Sequence, residues 1–183
     1  MKLLCTCVGL LFLFVNCNND SAICEDLKDQ IAKYEHRIHR SSEANQGLDS
    51  LLMQKSKLAN VLQRYYTSCP NDPYAATCLS KLHMLYSGMN DTRKAVAYAD
   101  TLIEKYPEFP DRSQVIESQI VSYELEIRPR NVEMIKTYLK LWLKENKAAD
   151  KEKIQEMKYH LEHVNLSLED RIKLNLKELS DCC

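Results

Sequence analysis

Apolar residues in this chain recur at spacings of three and four, which is the period of an amphipathic α-helix. The clearest example lies near the middle, where two such segments are separated by the turn residues 88–91. The pattern predicts helices from Tyr74 to Ser87 and from Arg93 to Tyr106. Pro73 suits the first turn of the first helix, and Pro107 ends the second. Two helices joined by so short a turn are expected to form an antiparallel hairpin.

The prolines around this hairpin recur at a fixed interval. Pro70 and Pro73 are each followed after 37 residues by another proline, at Pro107 and Pro110. A period in the thirties is typical of helical repeat arrays, in which each unit buries the face that its neighbour leaves open. We therefore predict an all-α fold of about seven helices, arranged as a short solenoid. The other helices predicted from the apolar pattern are 25–40, 48–67, 112–127, 132–145, one opening at Asp150, and 168–179.

The hairpin resembles the tetratricopeptide repeat family, because the family's small and large positions match residues of this segment. The matching positions are Leu79, Leu82, Tyr86, Ala95, Ala99, Leu102 and Pro107, with His83 where a small residue is usual. The run from Ala59 to Leu168 is similar to the repeat lipoproteins of Bacteroidota, whose units begin at a turn like residues 70–75. Those proteins are distantly similar to the lipoprotein subunit of the outer-membrane β-barrel assembly machine. The resemblance implies a right-handed superhelix of antiparallel helix pairs that serves as a scaffold.

The N-terminus has the pattern of a targeting segment. Lys2 precedes an apolar run of about thirteen residues, which is too short to span a bilayer and has the size of a signal-peptide core. The end of this run resembles a bacterial lipobox in which Cys17 is acylated, although Asn16 stands where the pattern favours a smaller residue. Cleavage near Ser21 without lipidation, or an uncleaved anchor, is the alternative. The predicted organisation is a signal peptide at 1–16, a lipidated polar tether at 17–22, an N-terminal amphipathic helix at 23–46 and a TPR-like repeat domain at 47–183.

Eight cysteines are present, and their places divide them into groups. Two lie in the predicted signal peptide and Cys17 is the predicted lipidation site, which leaves an odd number that cannot all pair within one chain. Disulfides persist in exported proteins, and Cys69 with Cys78 is a candidate pair. The alternative is that Cys78 is a small buried residue on its helix face.

Composition and motifs give no sign of catalysis or of nucleic-acid binding. The net charge of −1 provides no basic face for phosphates. The sequence contains no glycine-rich phosphate loop, catalytic serine motif or zinc motif. The histidine pairs 36/39 and 160/163 lack a further ligand at a suitable spacing, and Glu117, Glu124 and Glu126 are interpreted as a solvated edge. We expect no metal, no cofactor and no enzymatic activity.

The family resemblance also implies a concave groove lined by the first helix of each repeat. The groove positions carried over to this chain are Thr77, Ser80, Met84, Ser87, Gln114, Glu117, Val121 and Glu124. This set is polar, mildly acidic and free of lysine, so it favours a neutral or basic segment of another envelope protein over a C-terminal carboxylate.

The functional hypothesis is a membrane-anchored adaptor that binds another protein in the bacterial cell envelope. The lipid anchor is expected on the outer membrane, with the domain facing the periplasm. The alternative is a structural envelope protein without a separate ligand, in which the stripe between Ile23 and Ile38 and the last helix self-associate into a homo-oligomer.

Overall fold

The computed structural model describes residues 17–43 and 47–181. Over these residues the chain forms eight α-helices and one short π-helix, with no strand, so the all-α class is confirmed. The eight α-helices correspond to the eight segments predicted one by one, which is one more than the predicted total of about seven. The predicted signal peptide at 1–16 lies outside the described residues. The helices are α1 Cys17–Glu43, α2 Leu48–Ser68, α3 Tyr74–Ser87, α4 Thr92–Lys105, α5 Arg112–Val121, the π-helix Ser122–Glu126, α6 Val132–Glu145, α7 Lys151–Glu162 and α8 Leu168–Asp181.

The chain divides into two compact units, with the boundary between Leu85 and Tyr86. This boundary falls inside α3, so the hairpin of α3 with α4 and the right-handed superhelix stay predictions. The predicted tether, 17–22, belongs to α1, which begins at Cys17.

In the first unit, α1 and α2 pack side by side as an antiparallel pair. A disulfide joins Cys24, near the start of α1, to Cys69, directly after α2. Near the other ends of the two helices, Gln54 Nε2 donates a hydrogen bond of 2.9 Å to Ser41 Oγ. The buried apolar side chains of the pair include Leu27 and Ile31 of α1 and Leu58, Leu62 and Tyr65 of α2.

The disulfide excludes the candidate pairing of Cys69 with Cys78 and confirms the alternative, in which Cys78 is a small buried residue on its helix face. Cys78 lies on the buried face of α3 and is a free thiol. Burial raises its pKa to about 12, which keeps the thiol protonated and unreactive. The antiparallel packing of α1 on α2 brings the start of one helix to the end of the other, and this places Cys24 beside Cys69 although the two are 45 residues apart in the sequence. Nearness in sequence was therefore a misleading guide.

The second unit is built from α4 to α8, and α4, α5, α6 and α7 pack in chain order. Asp100 on α4 is a polar link in its core: its carboxylate accepts hydrogen bonds from Tyr123 Oη at 3.1 Å, from Tyr138 Oη and from Gln119 Nε2. Burial is the main reason that the pKa of Tyr123 rises to about 12. The apolar core around this link includes Ala99, Leu102, Ile116, Ile120, Ile135, Leu139 and Trp142.

Side-chain caps fix where several of these helices begin. Asn131 Oδ1 accepts a hydrogen bond of 3.1 Å from the backbone N–H of Met134, as the sequence predicts for the start of α6. Asp91 caps α4 in the same way through the N–H of Lys94, at 3.3 Å.

Removal of the α6 cap should have a measurable cost. We expect Asn131→Ala to lower the free energy of unfolding by about 1 kcal/mol, because one N–H of the first turn loses its partner. Asp111 precedes α5 without a side-chain cap bond, so Asp111→Ala is the matched control and should change stability by less than about 0.5 kcal/mol. Urea denaturation measures both values. Equal losses in the two variants would contradict the capping role of Asn131.

Candidate functional site

An open apolar groove of about 300 Å³ lies in the second unit, between α5 with the π-helix on one side and α7 and α8 on the other. Its size is at the lower end of the range for binding sites, roughly 300–1,000 Å³. Four large apolar side chains at this groove are between 40% and 52% exposed. We call them the groove face: Val121, Leu125, Leu168 and Ile172. An open apolar groove with a few polar groups at its wall is a candidate binding site.

The floor of the groove contains a buried carboxylate. Glu124 is only 6% exposed, and its oxygens accept two hydrogen bonds from Arg130, both of 2.8 Å. Arg171 Nη2 lies 3.1 Å from Oε1, and His160 Nε2 lies 3.2 Å from Oε2. The four groups come from the π-helix, the segment before α6, α7 and α8. Glu124 therefore joins the parts of the unit that form the groove.

The two arginines also have contacts beyond Glu124: Arg130 binds a backbone carbonyl, and its charge acts on Arg171. Arg130 Nη2 donates a further hydrogen bond of 2.7 Å to the carbonyl of Val164, at the turn between α7 and α8. Burial lowers the pKa of the Arg171 guanidinium, and the neighbouring positive charge of Arg130 acts in the same direction. Glu124 opposes both effects, so the carboxylate and the two arginines form one interdependent group.

The local reason for this arrangement is the π-helix at Ser122–Glu126. A continuous α-helix was predicted over 112–127, but the α-helical hydrogen bonding ends at Val121. Ser122, Tyr123 and Glu124 are three consecutive buried residues, which one face of an α-helix cannot supply. The wider turn directs Tyr123 towards Asp100 and Glu124 towards the arginines. Such π turns occur frequently at functional sites.

A second carboxylate, Glu117, lies at the same groove. Its Oε1 accepts a hydrogen bond of 2.9 Å from Trp142 Nε1, and Lys153 Nζ lies 3.4 Å from Oε2. Each of these two groove carboxylates is thus matched by a cation or an N–H donor. The interpretation of Glu117, Glu124 and Glu126 as a solvated edge is wrong for Glu124, which is buried, while Glu126 is exposed.

The predicted groove residues fall in different places. Glu117, Val121 and Glu124 line the observed groove, whereas Gln114 is exposed on α5 outside its lining. Thr77, Ser80 and Met84 lie on α3 in the first unit, partly or largely exposed, and Ser87 is exposed at the end of α3. Cys17 is the first residue of α1, but its side chain lies outside the described part of the chain.

Sequence reasoning missed the residues that α7 and α8 contribute to the groove. They are Lys153, Met157, His160, Leu168, Arg171 and Ile172. The family resemblance places the groove on the first helix of each repeat, so α7 and α8 were predicted as helices but not as groove walls. The sequence did contain a signal for α8: its apolar residues Leu168, Ile172 and Leu176 form a stripe along one side of the helix, and this stripe is exposed.

Three of the four histidines in the pairs 36/39 and 160/163 have ordinary partners. His160 contacts Glu124, and His163 Nδ1 lies 3.0 Å from the carbonyl of Tyr159. His39 Nε2 lies 3.4 Å from Glu43. Across residues 17–43 and 47–181, no group of three or more histidine, cysteine or acidic side chains is placed to bind a metal ion. Within the same part of the chain, no helix combines the length and apolar character needed to cross a bilayer.

Comparison with known proteins gives no relative for this chain: no family model, no curated protein and no solved structure matches it. The resemblance to tetratricopeptide repeats therefore stays a hypothesis based on the residues quoted above.

Proposed function

We propose that this protein is a lipid-anchored, TPR-like adaptor of the bacterial cell envelope that holds another protein against the groove face. One observation carries the proposal: Val121, Leu125, Leu168 and Ile172 expose 40–52% of their surface around one groove. Apolar surface left in water is costly at about 25 cal/mol per Å². A partner that covers this surface recovers that free energy.

The charges at the groove refine the kind of partner. Glu117 and Glu124 are neutralised by Lys153, Arg130 and Arg171, so they offer little attraction to a basic segment. The groove therefore favours the apolar face of a partner helix, which is a common way for an apolar groove to bind protein. The saturated carboxylates also support a docking role over catalysis.

The docking role can be tested by substitution at the groove face. We expect Val121→Glu to abolish co-purification of the partner from solubilised membranes, because a charge would have to be buried against the partner's apolar face. Gln114→Glu is the matched control, since Gln114 is exposed on the same helix outside the groove. It should retain the partner. Equal recovery with both variants would contradict docking at this site.

The anchor is a separate part of the proposal and rests on the lipobox-like sequence that ends at Cys17. Intact-mass analysis of the membrane-extracted protein should show acyl chains on a chain that begins at Cys17. A Cys17→Ser variant should lose these chains and leave the membrane fraction. A mature chain that begins near Ser21 without acylation would overturn the lipid anchor and leave the docking role to be judged by itself.

Self-association is the second candidate function, and a specific observation favours it. Leu168, Ile172 and Leu176 form a stripe along α8, and Leu176 is 63% exposed beyond the groove. Because the exposed stripe and the groove lie on the same helix, two identical copies can bury this surface against each other.

A further inference from the structure

Helix α8 carries an exposed stripe with its own internal symmetry. Leu168 lies four residues before Ile172, and Leu176 lies four residues after it. The exposed fractions of the three side chains range from 40% to 63%. When two such helices lie antiparallel about Ile172, Leu168 of each copy faces Leu176 of the other. The stripe is therefore complementary to itself under a two-fold axis, which is the requirement for a symmetric dimer interface.

The charges beside the stripe favour the same arrangement. Glu169 and Lys173 lie on one flank of the stripe, both exposed, with 2.7 Å between Lys173 Nζ and Glu169 Oε1. A two-fold axis at Ile172 brings this flank against its own copy, so that Glu169 of each molecule lies beside Lys173 of the other. In a parallel pair the flank would instead meet the opposite side of α8, which carries Asn175.

The groove increases the surface that such a contact covers. Val121 and Leu125 lie beside Leu168 and Ile172 at the same groove, and an α-helix laid along α8 covers its open side. We infer that α8 is the contact helix of an antiparallel homodimer, with Ile172 at the two-fold axis and with the groove face covered by the second copy. This inference rests on the second proposed function, self-association, and gives it a geometry.

Sedimentation equilibrium of the full chain in density-matched detergent tests the contact. We expect a dimer whose dissociation constant rises at least about 100-fold in Ile172→Lys, because an unpaired charge would be buried at the centre of the interface. Gln155→Lys, an exposed position of α7 outside the groove lining, is the matched control and should dimerise like the parent chain. Far-ultraviolet circular dichroism should show equal helix content in all three proteins.

A charge exchange tests the antiparallel register. Glu169→Lys alone and Lys173→Glu alone should each weaken the dimer by roughly tenfold, since each places like charges across the two-fold axis. The double variant should recover the parent affinity. Failure of the double variant to recover would overturn the register, and a dimer insensitive to Ile172→Lys would overturn the interface while leaving self-association in place.

A chain that stays monomeric at all concentrations would overturn both the inference and self-association. In that case the groove face would be free for a different protein, and recovery of such a protein with the parent chain and with Gln114→Glu but not with Val121→Glu would support the adaptor role. A dimer would instead occupy the groove face, which includes Val121, so the two roles exclude each other at this surface. The two sets of variants therefore separate failure of the dimer from failure of the docking function.

Discussion

Replacement of Glu124 with glutamine should lower the free energy of unfolding by about 3–5 kcal/mol. The glutamine side chain has a similar size, so the expected loss comes from charge rather than from a cavity. Glu124 is nearly inaccessible to water and contacts Arg130, Arg171 and His160. Without the carboxylate, the buried guanidinium of Arg171 and the partly exposed guanidinium of Arg130 lose the negative charge that offsets their removal from water.

Glu126→Gln is the matched control for this experiment. Glu126 lies on the same π-helix but is exposed, with a hydrogen bond of 3.1 Å from Thr92 Oγ1 as its contact. Its replacement should change stability by no more than about 0.5 kcal/mol. Urea denaturation followed by circular dichroism measures both variants. If Glu124→Gln is as stable as Glu126→Gln, the charge group does not hold the groove elements together.

Loss of the Cys24–Cys69 disulfide should be the other large effect, at about 4 kcal/mol. The bond closes a loop between residues 45 positions apart, and a cross-link over such a loop restricts the unfolded chain strongly. We expect the variant with both Cys24→Ala and Cys69→Ala to unfold at a correspondingly lower urea concentration. A reducing agent should lower the urea concentration at which the parent chain unfolds by a similar amount.

The double variant provides its own control, since a reducing agent should leave its unfolding curve unchanged. Alkylation before and after reduction, followed by mass measurement, should locate two protected thiols at Cys24 and Cys69 in the parent chain. This pairing would be contradicted if Cys78 proved to be part of a disulfide, or if reduction left the unfolding curve of the parent chain unchanged.

The sequence was a good guide to those helix ends that are set by neighbouring residues. The bounds Tyr74–Ser87 and Val132–Glu145 are the ones predicted, because a proline turn precedes the first and Asn131 caps the second. Such signals act within a turn of the chain, so no knowledge of the tertiary structure is needed to interpret them.

The features that the sequence did not predict depend on contacts between distant residues. The π-helix follows from the burial of Tyr123 against Asp100 and of Glu124 against Arg171, and these partners lie far from it in the chain. The pairing of Cys24 with Cys69 follows from the packing of α1 on α2. Neither contact leaves a mark in local periodicity.

The groove was predictable only in part, for a similar reason. Its α5 side, including Glu117 and Val121, coincides with positions carried over from the family resemblance. Its other side is formed by α7 and α8, to which the family resemblance assigned no groove positions. Ile172 and Leu176 are exposed on α8, and the apolar period of a helix does not show which of its faces a neighbouring helix covers.

The Cys24–Cys69 bond also determines how the first unit bears mechanical tension. A force that pulls on the chain ahead of Cys24 passes through the sulfur atoms directly to the residue after α2. The intervening length of α1 and α2 is thereby removed from the path of the force, and the two helices cannot be peeled apart from that end. Under the proposed anchor at Cys17, this bond would protect the α1–α2 pair, which lies closest to the anchor, from being unfolded by force.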